Sequence, residues 1–288
     1  MLNILVTGSN GQLGSELKFL SKDKKDKFFF KDRETLDITH EDAIRKFVEG
    51  NNVDVIINCA AYTAVDKAQT DEESADAINH QAVKFLAQIS KEKNIKLIHI
   101  STDYVFDGTN HKPYKEDDAT VPKSVYGKTK LAGEKALQAV NPKNSIIIRT
   151  SWVYSSFGAN FVKTMLTLSK DREELSVVYD QVGTPTYARD LAKAILKIVS
   201  KVENKNVEIY HYSNEGVLSW YDFAKEIMKM AKRACTIHPI ESFEYPTPAP
   251  RPHFSILNKS KIKKDFNIEI PFYKDSLDEC LKVLGERR

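Results

Sequence analysis

The chain has 288 residues, of which 41% are hydrophobic and 29% are charged, as is typical of a globular protein with one large core or two modest ones. Its 43 basic and 40 acidic residues are interspersed and leave a net charge of only +3, so we expect no nucleic acid partner. The three cysteines lie far apart without a Cys-x-x-Cys pair, which argues against a disulfide framework and a thiolate metal site and indicates reduced thiols.

The first half of the chain alternates between strand and helix patterns. It begins at an apolar strand without a basic leader, and no apolar run is long enough to cross a bilayer, so we expect a cytoplasmic protein with no membrane partner. The predicted elements are, in order, a strand at Asn3–Thr7, a helix at Gln12–Leu20, a strand at Phe28–Phe30, an extended piece at Leu36–Ile38, a helix from Thr39 to about Glu49, a strand at Val53–Asn58, a helix from about Glu73 to Lys93, a strand at Lys96–Ser101, a helix at Val125–Val140 and a strand at Ser145–Thr150. This alternation predicts an α/β fold with a Rossmann-type, doubly wound parallel sheet that is covered by helices on both faces.

Beyond Thr150 the pattern is less regular and predicts a smaller C-terminal α/β domain that binds the substrate. Its predicted elements are a helix at Phe161–Ser169, a strand at Leu175–Tyr179, a helix at Tyr187–Ser200, a strand at Val207–Tyr212 and a helix at Trp220–Lys232. The prolines between Tyr245 and Pro252 remove backbone donors and fix φ, so this segment must be an extended loop. We predict a dinucleotide-binding domain at residues 1–150 and a nucleotide-sugar-binding domain mainly at 151–288, with some elements of about 175–212 returning to the first.

Three glycines, Gly8, Gly11 and Gly14, follow the first strand and open the first helix. Glycines there permit a tight turn and a close approach of the backbone to a pyrophosphate, while the helix N-terminus offers unpaired N–H groups. The pattern predicts a dinucleotide cofactor. A site for NADH has a carboxylate after the second strand, and a site for NADPH has a cation there. Lys31–Arg33 supplies both signs, so NADH and NADPH both remain open.

Tyr126 and Lys130 lie four residues apart on one predicted helix, and therefore on the same helix face. A nearby cation favours the ionised form of a phenol and makes it a better proton donor. The segment Ser101–Gly108 follows a predicted parallel strand, and ligands bind at the carboxyl ends of such strands. A hydroxyl in this segment can orient a substrate carbonyl while the phenol protonates it. The set is therefore typical of a ketone reductase.

With these residues in place, the chain resembles the extended short-chain dehydrogenase/reductases and, among them, the dTDP-4-dehydrorhamnose reductase family. The resemblance covers almost the whole chain. It rests on the glycine turn Gly8–Gly14 and on the blocks Asn58–Asp66, Ser101–Gly108, Tyr126–Glu134, Arg149–Tyr154 and Pro248–Pro252.

The resemblance implies hydride transfer from NADH or NADPH to the 4-keto carbon of a dTDP-linked 4-keto-6-deoxy sugar, dTDP-4-dehydro-L-rhamnose, which gives dTDP-L-rhamnose. Tyr126 would donate the proton, and Thr102 would hydrogen-bond the keto oxygen. Lys130 would hold the nicotinamide ribose and lower the pKa of the phenol.

Further positions match the family's binding residues. Asp103, Trp152 and Asn160 resemble its substrate contacts. Arg251, at the end of the proline-rich loop, offers a cation for the substrate diphosphate. The cofactor-binding positions implied by the glycine turn and the resemblance are Gly8, Gly11, Gln12, Leu13, Gly14, Asp37, Ile38, Ala61, Tyr62, Thr63, Ile100, Tyr126 and Lys130.

One departure from the family concerns magnesium. Some members form dimers around magnesium held by glutamates, and Glu16 matches one of these glutamates. Arg189 stands where an acidic partner is expected, and a cation there would repel a metal ion. We therefore expect no metal ligands and either a monomer or a metal-independent homodimer.

Two other functions remain open. One is another nucleotide-sugar reductase, epimerase or dehydratase of the same fold, although a dehydratase typically has Thr-Asp-Glu, and here Tyr104 follows Thr102 and Asp103. The other is a non-catalytic, dinucleotide-binding regulatory subunit, similar to the one that serves methionine adenosyltransferase. The presence of Tyr126, Lys130 and Thr102 together favours an enzyme.

Overall fold

The computed structural model describes residues 1–287, which contain twelve strands and ten α-helices. The strands are β1 (Asn3–Thr7), β2 (Lys27–Lys31), β3 (Val55–Asn58), β4 (Lys96–Thr102), β5 (Ser145–Thr150), β6 (Val153–Tyr154), β7 (Glu174–Val178), β8 (Val182–Gly183), β9 (Thr186–Tyr187), β10 (Glu208–His211), β11 (Leu218–Ser219) and β12 (Thr236–Ile240). The helices are α1 (Gln12–Leu20), α2 (Glu41–Asn51), α3 (Glu72–Asp76), α4 (Ala82–Lys93), α5 (Val125–Val140), α6 (Phe161–Asp171), α7 (Ala188–Ile198), α8 (Trp220–Met230), α9 (Ser260–Phe266) and α10 (Tyr273–Val283).

Six strands form one parallel sheet in the order β2-β1-β3-β4-β5-β10. After β2 the chain crosses back over β1 to form β3, so the direction of winding reverses between β1 and β3. Open α/β sheets bind ligands in the crevice at this reversal, beyond the carboxyl ends of the strands. The predicted α/β fold with a doubly wound parallel sheet is confirmed.

Apolar strand residues point to both faces of this sheet because neighbouring side chains of a strand alternate. On one face Ile4, Val6 and Ile57 pack against α1 and α7. On the other face Leu5 and Ile56 pack against α2 and α4. Buried on both faces, the central strands are continuous apolar runs. The sheet thereby becomes a rigid base that fixes the positions of the loops at its edge.

Beyond β5 the chain builds a second core and three two-stranded sheets, β6 with β9, β8 with β11, and β7 with β12. Among the elements that we expected to return to the first domain, α7 packs against α1 and β10 pairs with β5. β7 does not return, because it pairs in parallel with β12 outside the main sheet. The boundary between the domains near residue 151 stays a prediction.

The structure differs locally from the expected elements at several places. The helix expected at Glu73–Lys93 is interrupted by a π-helical turn, Ala77–Gln81, between α3 and α4. The piece at Leu36–Ile38 belongs to no strand, and Oδ1 of Asp37 in it accepts hydrogen bonds from the backbone and side chain of Thr39. The sequence analysis did not predict β12, α9 or α10.

Candidate active site

A cleft of about 670 Å³ lies at the reversal point of the sheet, beyond the carboxyl ends of β1, β3 and β4. It contains every position predicted to bind the cofactor. The residues that line it are Gly8, Gly11, Gln12, Leu13, Gly14, Asp32, Arg33, Leu36, Asp37, Ile38, Cys59, Ala60, Ala61, Tyr62, Thr63, Ala64, Ile78, Ile100, Ser101, Tyr126, Lys130, Thr150, Val153, Gly158, Ala159 and Leu191.

The glycine turn forms one wall of the cleft, and its geometry requires glycine. Gly8 has φ +64°, and a Cβ atom there would lie 2.6 Å from the backbone nitrogen of Ala60. A Cβ atom at Gly14 would lie 2.5 Å from the carbonyl oxygen of Gly8. Helix α1 begins directly after Gly11, and no side chain caps its N-terminus. The turn therefore offers free N–H groups that suit a pyrophosphate.

Charged side chains lie at the adenosine end of such a cleft. Asp32 accepts hydrogen bonds from Asn10 Nδ2 at 2.5 Å and from the Thr35 hydroxyl at 2.7 Å, and the bonds to Thr35 lower its pKa. Arg33 also lines the cleft. The Lys31 ammonium lies over the Phe47 ring, 5.0 Å from its centroid. A hydrogen-bonded carboxylate and an exposed guanidinium, which pairs with Asp37 at 3.6 Å, therefore stand together, and a preference for NADH or NADPH stays open here.

Helix α5 carries Tyr126 and Lys130 into the cleft. It starts at a Ser124 cap, whose hydroxyl accepts a hydrogen bond from the Gly127 N–H at 3.1 Å. A Cβ atom at Gly127 would lie 2.3 Å from the Tyr104 carbonyl oxygen, so glycine lets the helix approach the 3-10 turn Asp103–Val105 that follows β4. Lys130 Nζ donates to the Ile100 carbonyl at 2.7 Å, and burial lowers the pKa of Lys130 to about 8.

The acidity of Tyr126 differs from our expectation. Burial raises the pKa of this phenol to about 12, a hydrogen bond with Thr102 opposes the rise, and the Asp103 carboxylate adds to it. The predicted lowering of the pKa of Tyr126 is therefore wrong. Loss of hydration outweighs any favourable effect of a neighbouring charge at this buried position. The phenol is held in its protonated form, which a proton donor requires.

The residues predicted to contact the substrate lie beside the cleft, and of these only Tyr126 lines it. The Thr102 hydroxyl donates to Asp103 Oδ1 at 3.0 Å, and burial raises the pKa of Asp103 to about 6. Trp152 has φ +49°, which is unusual for a bulky residue, and its ring stacks on Trp220 with centroids 3.6 Å apart. Strained residues of this kind cluster at functional sites.

Two other predicted substrate residues already have protein partners. Asn160 caps α6 through Oδ1, and its Nδ2 donates to Gln12 Oε1 at 3.0 Å and to the Ser155 carbonyl at 2.7 Å. Arg251 bonds Asp66 Oδ2 at 2.6 Å, across the two halves of the chain. The Arg251 guanidinium also acts on Tyr104, where it opposes the rise in the phenol pKa that burial causes. The Tyr104 ring in turn meets the Tyr126 ring edge to face, with centroids 5.5 Å apart.

Glu16, which matches a magnesium ligand of some relatives, is fully buried and paired within the chain. Its carboxylate accepts hydrogen bonds from Arg189 Nε at 2.8 Å and from the Ser155 hydroxyl at 2.6 Å. In residues 1–287, no group of three or more His, Cys, Asp or Glu side chains is arranged to hold a metal ion. The oligomeric state stays a prediction.

The sequence analysis missed two residues that contact the candidate site. His99 Nε2 lies 3.4 Å from Lys130 Nζ, and Asn58 Nδ2 lies 3.0 Å from His99 Nδ1. Both residues are fully buried. Their signal was the occurrence of polar residues within the otherwise apolar strands β3 and β4. Buried polar groups are costly unless they are hydrogen-bonded, so such positions indicate a specific network.

Across the described residues, no helix has the length and apolar character needed to span a membrane. The family model described as the RmlD substrate binding domain matches residues 2–285. A dTDP-4-dehydrorhamnose reductase of Aggregatibacter actinomycetemcomitans is 42% identical over 93% of this chain and 95% of that protein.

Two crystal structures are also similar over nearly the whole chain. A dTDP-4-dehydrorhamnose reductase of Clostridium acetobutylicum superposes with a TM-score of 0.94 at 42% identity and covers 99% of this chain and 100% of its own. The dTDP-4-dehydrorhamnose reductase of Bacillus anthracis, solved in complex with NADP, has a TM-score of 0.93 at 35% identity. The match covers 98% of this chain and 99% of that chain.

Proposed function

We propose that this chain, which belongs to the dTDP-4-dehydrorhamnose reductase family, catalyses the NAD(P)H-dependent reduction of the 4-keto group of dTDP-4-dehydro-L-rhamnose to give dTDP-L-rhamnose. The proposal rests on one observation, which is that Tyr126, Lys130 and the glycine turn line the same cleft. A ketone reductase needs a proton donor beside a dinucleotide, and this cleft can supply both.

The chain's own residues fit the cofactor. Gly8, Gly11 and Gly14 keep the backbone free of side chains where a pyrophosphate would lie. Lys130 reaches the cleft from α5 and would hold the nicotinamide ribose. Asp37 and Ile38 would border the adenine. When bound, the reduced nicotinamide would supply the hydride that carbon 4 of the sugar accepts.

The proton comes from the protein. The Tyr126 O–H bond breaks as a new O–H bond forms at the sugar O4, so the ketone oxygen becomes a hydroxyl and Tyr126 is left as a phenolate. Because burial makes that phenolate costly, nearby donors must stabilise it. The single proton of the Thr102 hydroxyl, which points to Asp103 Oδ1 at rest, would turn to the keto oxygen to orient it and then to the phenolate. The Lys130 ammonium is the other, acting by its charge.

The remaining substrate contacts lie toward the C-terminal part of the chain. Asp103, whose buried Oδ2 has no hydrogen-bond partner within residues 1–287, would accept a hydrogen bond from a sugar hydroxyl. Trp152, fixed by its stack on Trp220, would form an apolar wall for the sugar ring. Asn160 would support this wall through Gln12. Arg251 would exchange or share its contact with Asp66 when it meets the diphosphate.

The test is to incubate the protein with dTDP-4-dehydro-L-rhamnose and NADH or NADPH, to follow nicotinamide absorbance, and to identify the sugar product. Replacement Tyr126→Phe removes the proton donor and keeps the ring, so we expect kcat to fall by about 10²–10⁴ with cofactor binding unchanged. Tyr104→Phe, which removes a neighbouring buried phenol, is the matched control and should stay within a few-fold. Near-normal turnover by Tyr126→Phe, or no dTDP-L-rhamnose from the wild type, would contradict the proposal.

A further inference from the structure

A line of buried polar side chains runs behind the cleft and ends at Lys130. The Thr7 hydroxyl lies 2.6 Å from Asn58 Oδ1, Asn58 Nδ2 lies 3.0 Å from His99 Nδ1, and His99 Nε2 lies 3.4 Å from Lys130 Nζ. Each of these four residues is at most 1% exposed. They lie on neighbouring strands and on α5, so their geometry is set by the sheet. Nothing in the reaction described above uses Asn58 or His99.

The orientation of the Asn58 amide is fixed by the backbone. The Ala60 N–H points to Asn58 Oδ1 at 3.3 Å, and a backbone N–H can only donate. Oδ1 must therefore face Ala60, since the opposite orientation would bring two N–H groups together. It follows that Asn58 Nδ2 donates to His99 Nδ1. The imidazole nitrogen nearer Asn58 is an acceptor.

This assignment determines the tautomer of His99. Burial and the Lys130 charge hold the pKa of His99 well below its ordinary value of 6.5, so the ring is neutral. A neutral imidazole carries one proton, and because Nδ1 accepts, that proton is on Nε2. The His99 N–H then points toward Lys130 Nζ. An N–H cannot accept a hydrogen bond from an ammonium, whereas it can donate to the lone pair of a neutral amine.

The other groups that face Lys130 act in opposite directions. The Glu134 carboxylate favours the ammonium, but it is bound bidentately by Arg149 and also by the Ser101 hydroxyl. The Cys59 thiol, whose own pKa burial raises to about 12, is uncharged at neutral pH. The Ile100 carbonyl is a good acceptor for Nζ in either protonation state. Burial and the His99 N–H, by contrast, both disfavour the ammonium form of Lys130.

We propose that Asn58 and His99 are positioning residues that present an N–H dipole to Lys130 Nζ and so weaken its ammonium form. The proposal concerns the protonation of Lys130, and it rests on the proposed function only for its kinetic readout. Lys130 is charged below its pKa of about 8, so activity that depends on the ammonium is lost as the pH rises through that value. Asn58 and His99 would thus set the alkaline limit of the enzyme.

The most direct test is Asn58→Asp, which changes one atom's chemistry and almost no volume. Thr7 and Ala60 can still donate to the carboxylate. The carboxylate now requires a donor from His99, so the proton moves to Nδ1 and Nε2 becomes an acceptor for the ammonium. We expect the alkaline limb of kcat/KM to move up by about one pH unit or more. His99→Phe, which removes the N–H without adding a charge, should move it in the same direction.

The control is Thr7→Val, which breaks a hydrogen bond of the same network but leaves the Asn58 amide oriented by Ala60 and bonded to His99. The alkaline limb of kcat/KM should therefore not move. The tautomer itself is read by NMR on the ¹⁵N-histidine-labelled protein without substrate, with the His99 signals identified by their loss in His99→Phe. We expect the proton on Nε2 in the wild type and on Nδ1 in Asn58→Asp. A wild-type proton on Nδ1, or an alkaline limb that stays in place in both variants, would overturn the proposal. Because the NMR measurement needs no turnover, it remains valid if the proposed reaction fails.

Discussion

Asp103 is kept in its charged form at a cost to stability, and replacing it by asparagine should reveal that cost. The side chain is 2% exposed, Oδ1 accepts one hydrogen bond from Thr102, and Oδ2 has no hydrogen-bond partner among the described residues. Burial is the main cause that raises its pKa from the ordinary value of 3.8 to about 6. A carboxylate without enough donors is poorly compensated for its lost hydration.

The pKa shift of Asp103 sets the magnitude and the direction of the expected change in the free energy of unfolding with pH. A rise of about two pH units corresponds to ~3 kcal/mol between the protonated and ionised forms. Because the native state binds the proton more tightly than the unfolded state, the contribution of Asp103 is fully present below about pH 4. It is lost as the pH rises toward and through about 6. The free energy of unfolding therefore carries a penalty of ~3 kcal/mol at pH 8 that an asparagine does not have.

The assay is urea unfolding of the wild type and of Asp103→Asn at several pH values between 4 and 8. The new amide is itself poorly satisfied at the Oδ2 position, which adds a cost of about 1–3 kcal/mol that does not change with pH. The informative quantity is thus the difference between the two proteins as a function of pH. We expect the difference to move by ~3 kcal/mol in favour of Asp103→Asn between pH 4 and pH 8.

A difference that is the same at pH 4 and pH 8 would refute this reasoning, because it would mean that Asp103 ionises as easily in the folded chain as in water. A matched control is Asp107→Asn, in a neighbouring loop, where hydrogen bonds with Thr109 help lower the pKa of the carboxyl. Its contribution to stability is present above about pH 4 and is lost only below that value, so the difference from the wild type should stay nearly constant between pH 4 and pH 8. If Asp103 binds the sugar, Asp103→Asn should also raise KM for the nucleotide sugar. Stability at pH 8 and substrate affinity would then change in opposite directions, as expected for a functional site.

Three further substitutions test single roles. Lys130→Met should both raise the Kd for NAD(P)H in a fluorescence titration and lower kcat, and a loss of rate with normal cofactor binding would exclude the ribose contact. Arg251→Ala should raise KM for the dTDP-sugar at least tenfold, about 1.4 kcal/mol, without changing the Kd for NAD(P)H. Asp66→Asn frees the Arg251 guanidinium and should not raise KM for the dTDP-sugar. Asp32→Ser should increase kcat/KM for NADPH relative to NADH by about tenfold, because the Asp32 carboxylate opposes a 2′-phosphate. An unchanged ratio would show that Asp32 does not contribute to the choice between the two cofactors.

The elements that carry local signals were predictable from the sequence. The structure has α5 at Val125–Val140, as expected, because Ser124 is a strong N-cap and Asn141 can adopt the left-handed conformation that ends the helix. The glycine turn and α1 were predictable for the same reason, since their spacing reflects a backbone requirement at Gly8 and Gly14. The proposed catalytic pair, Tyr126 and Lys130, followed from the periodicity of one helix.

The elements that were missed depend on partners far away in the chain. β12 contains Pro239 and pairs with β7, about 60 residues earlier, so its extended conformation comes from a neighbour rather than from its own sequence. α9 is a short helix rich in lysine that buries only Ile262 and Phe266, too few for a clear periodic pattern. Arg251 likewise meets Asp66 across 185 positions, and no local rule relates the two.

The acidity of the site is the property least accessible to sequence, and it explains the error in the expected pKa of Tyr126. A lysine four residues from a tyrosine suggests a lowered phenol pKa, yet the pKa of Tyr126 is raised because burial acts on the phenol and on Lys130 alike. The charge of Lys130 depends in turn on which nitrogen of His99 carries the proton, and that depends on an amide orientation fixed by the Ala60 backbone. Each step is a contact that exists only in the folded chain, where β3, β4 and α5 meet. A motif can therefore identify the reacting groups, while their protonation is decided by residues that the motif does not contain.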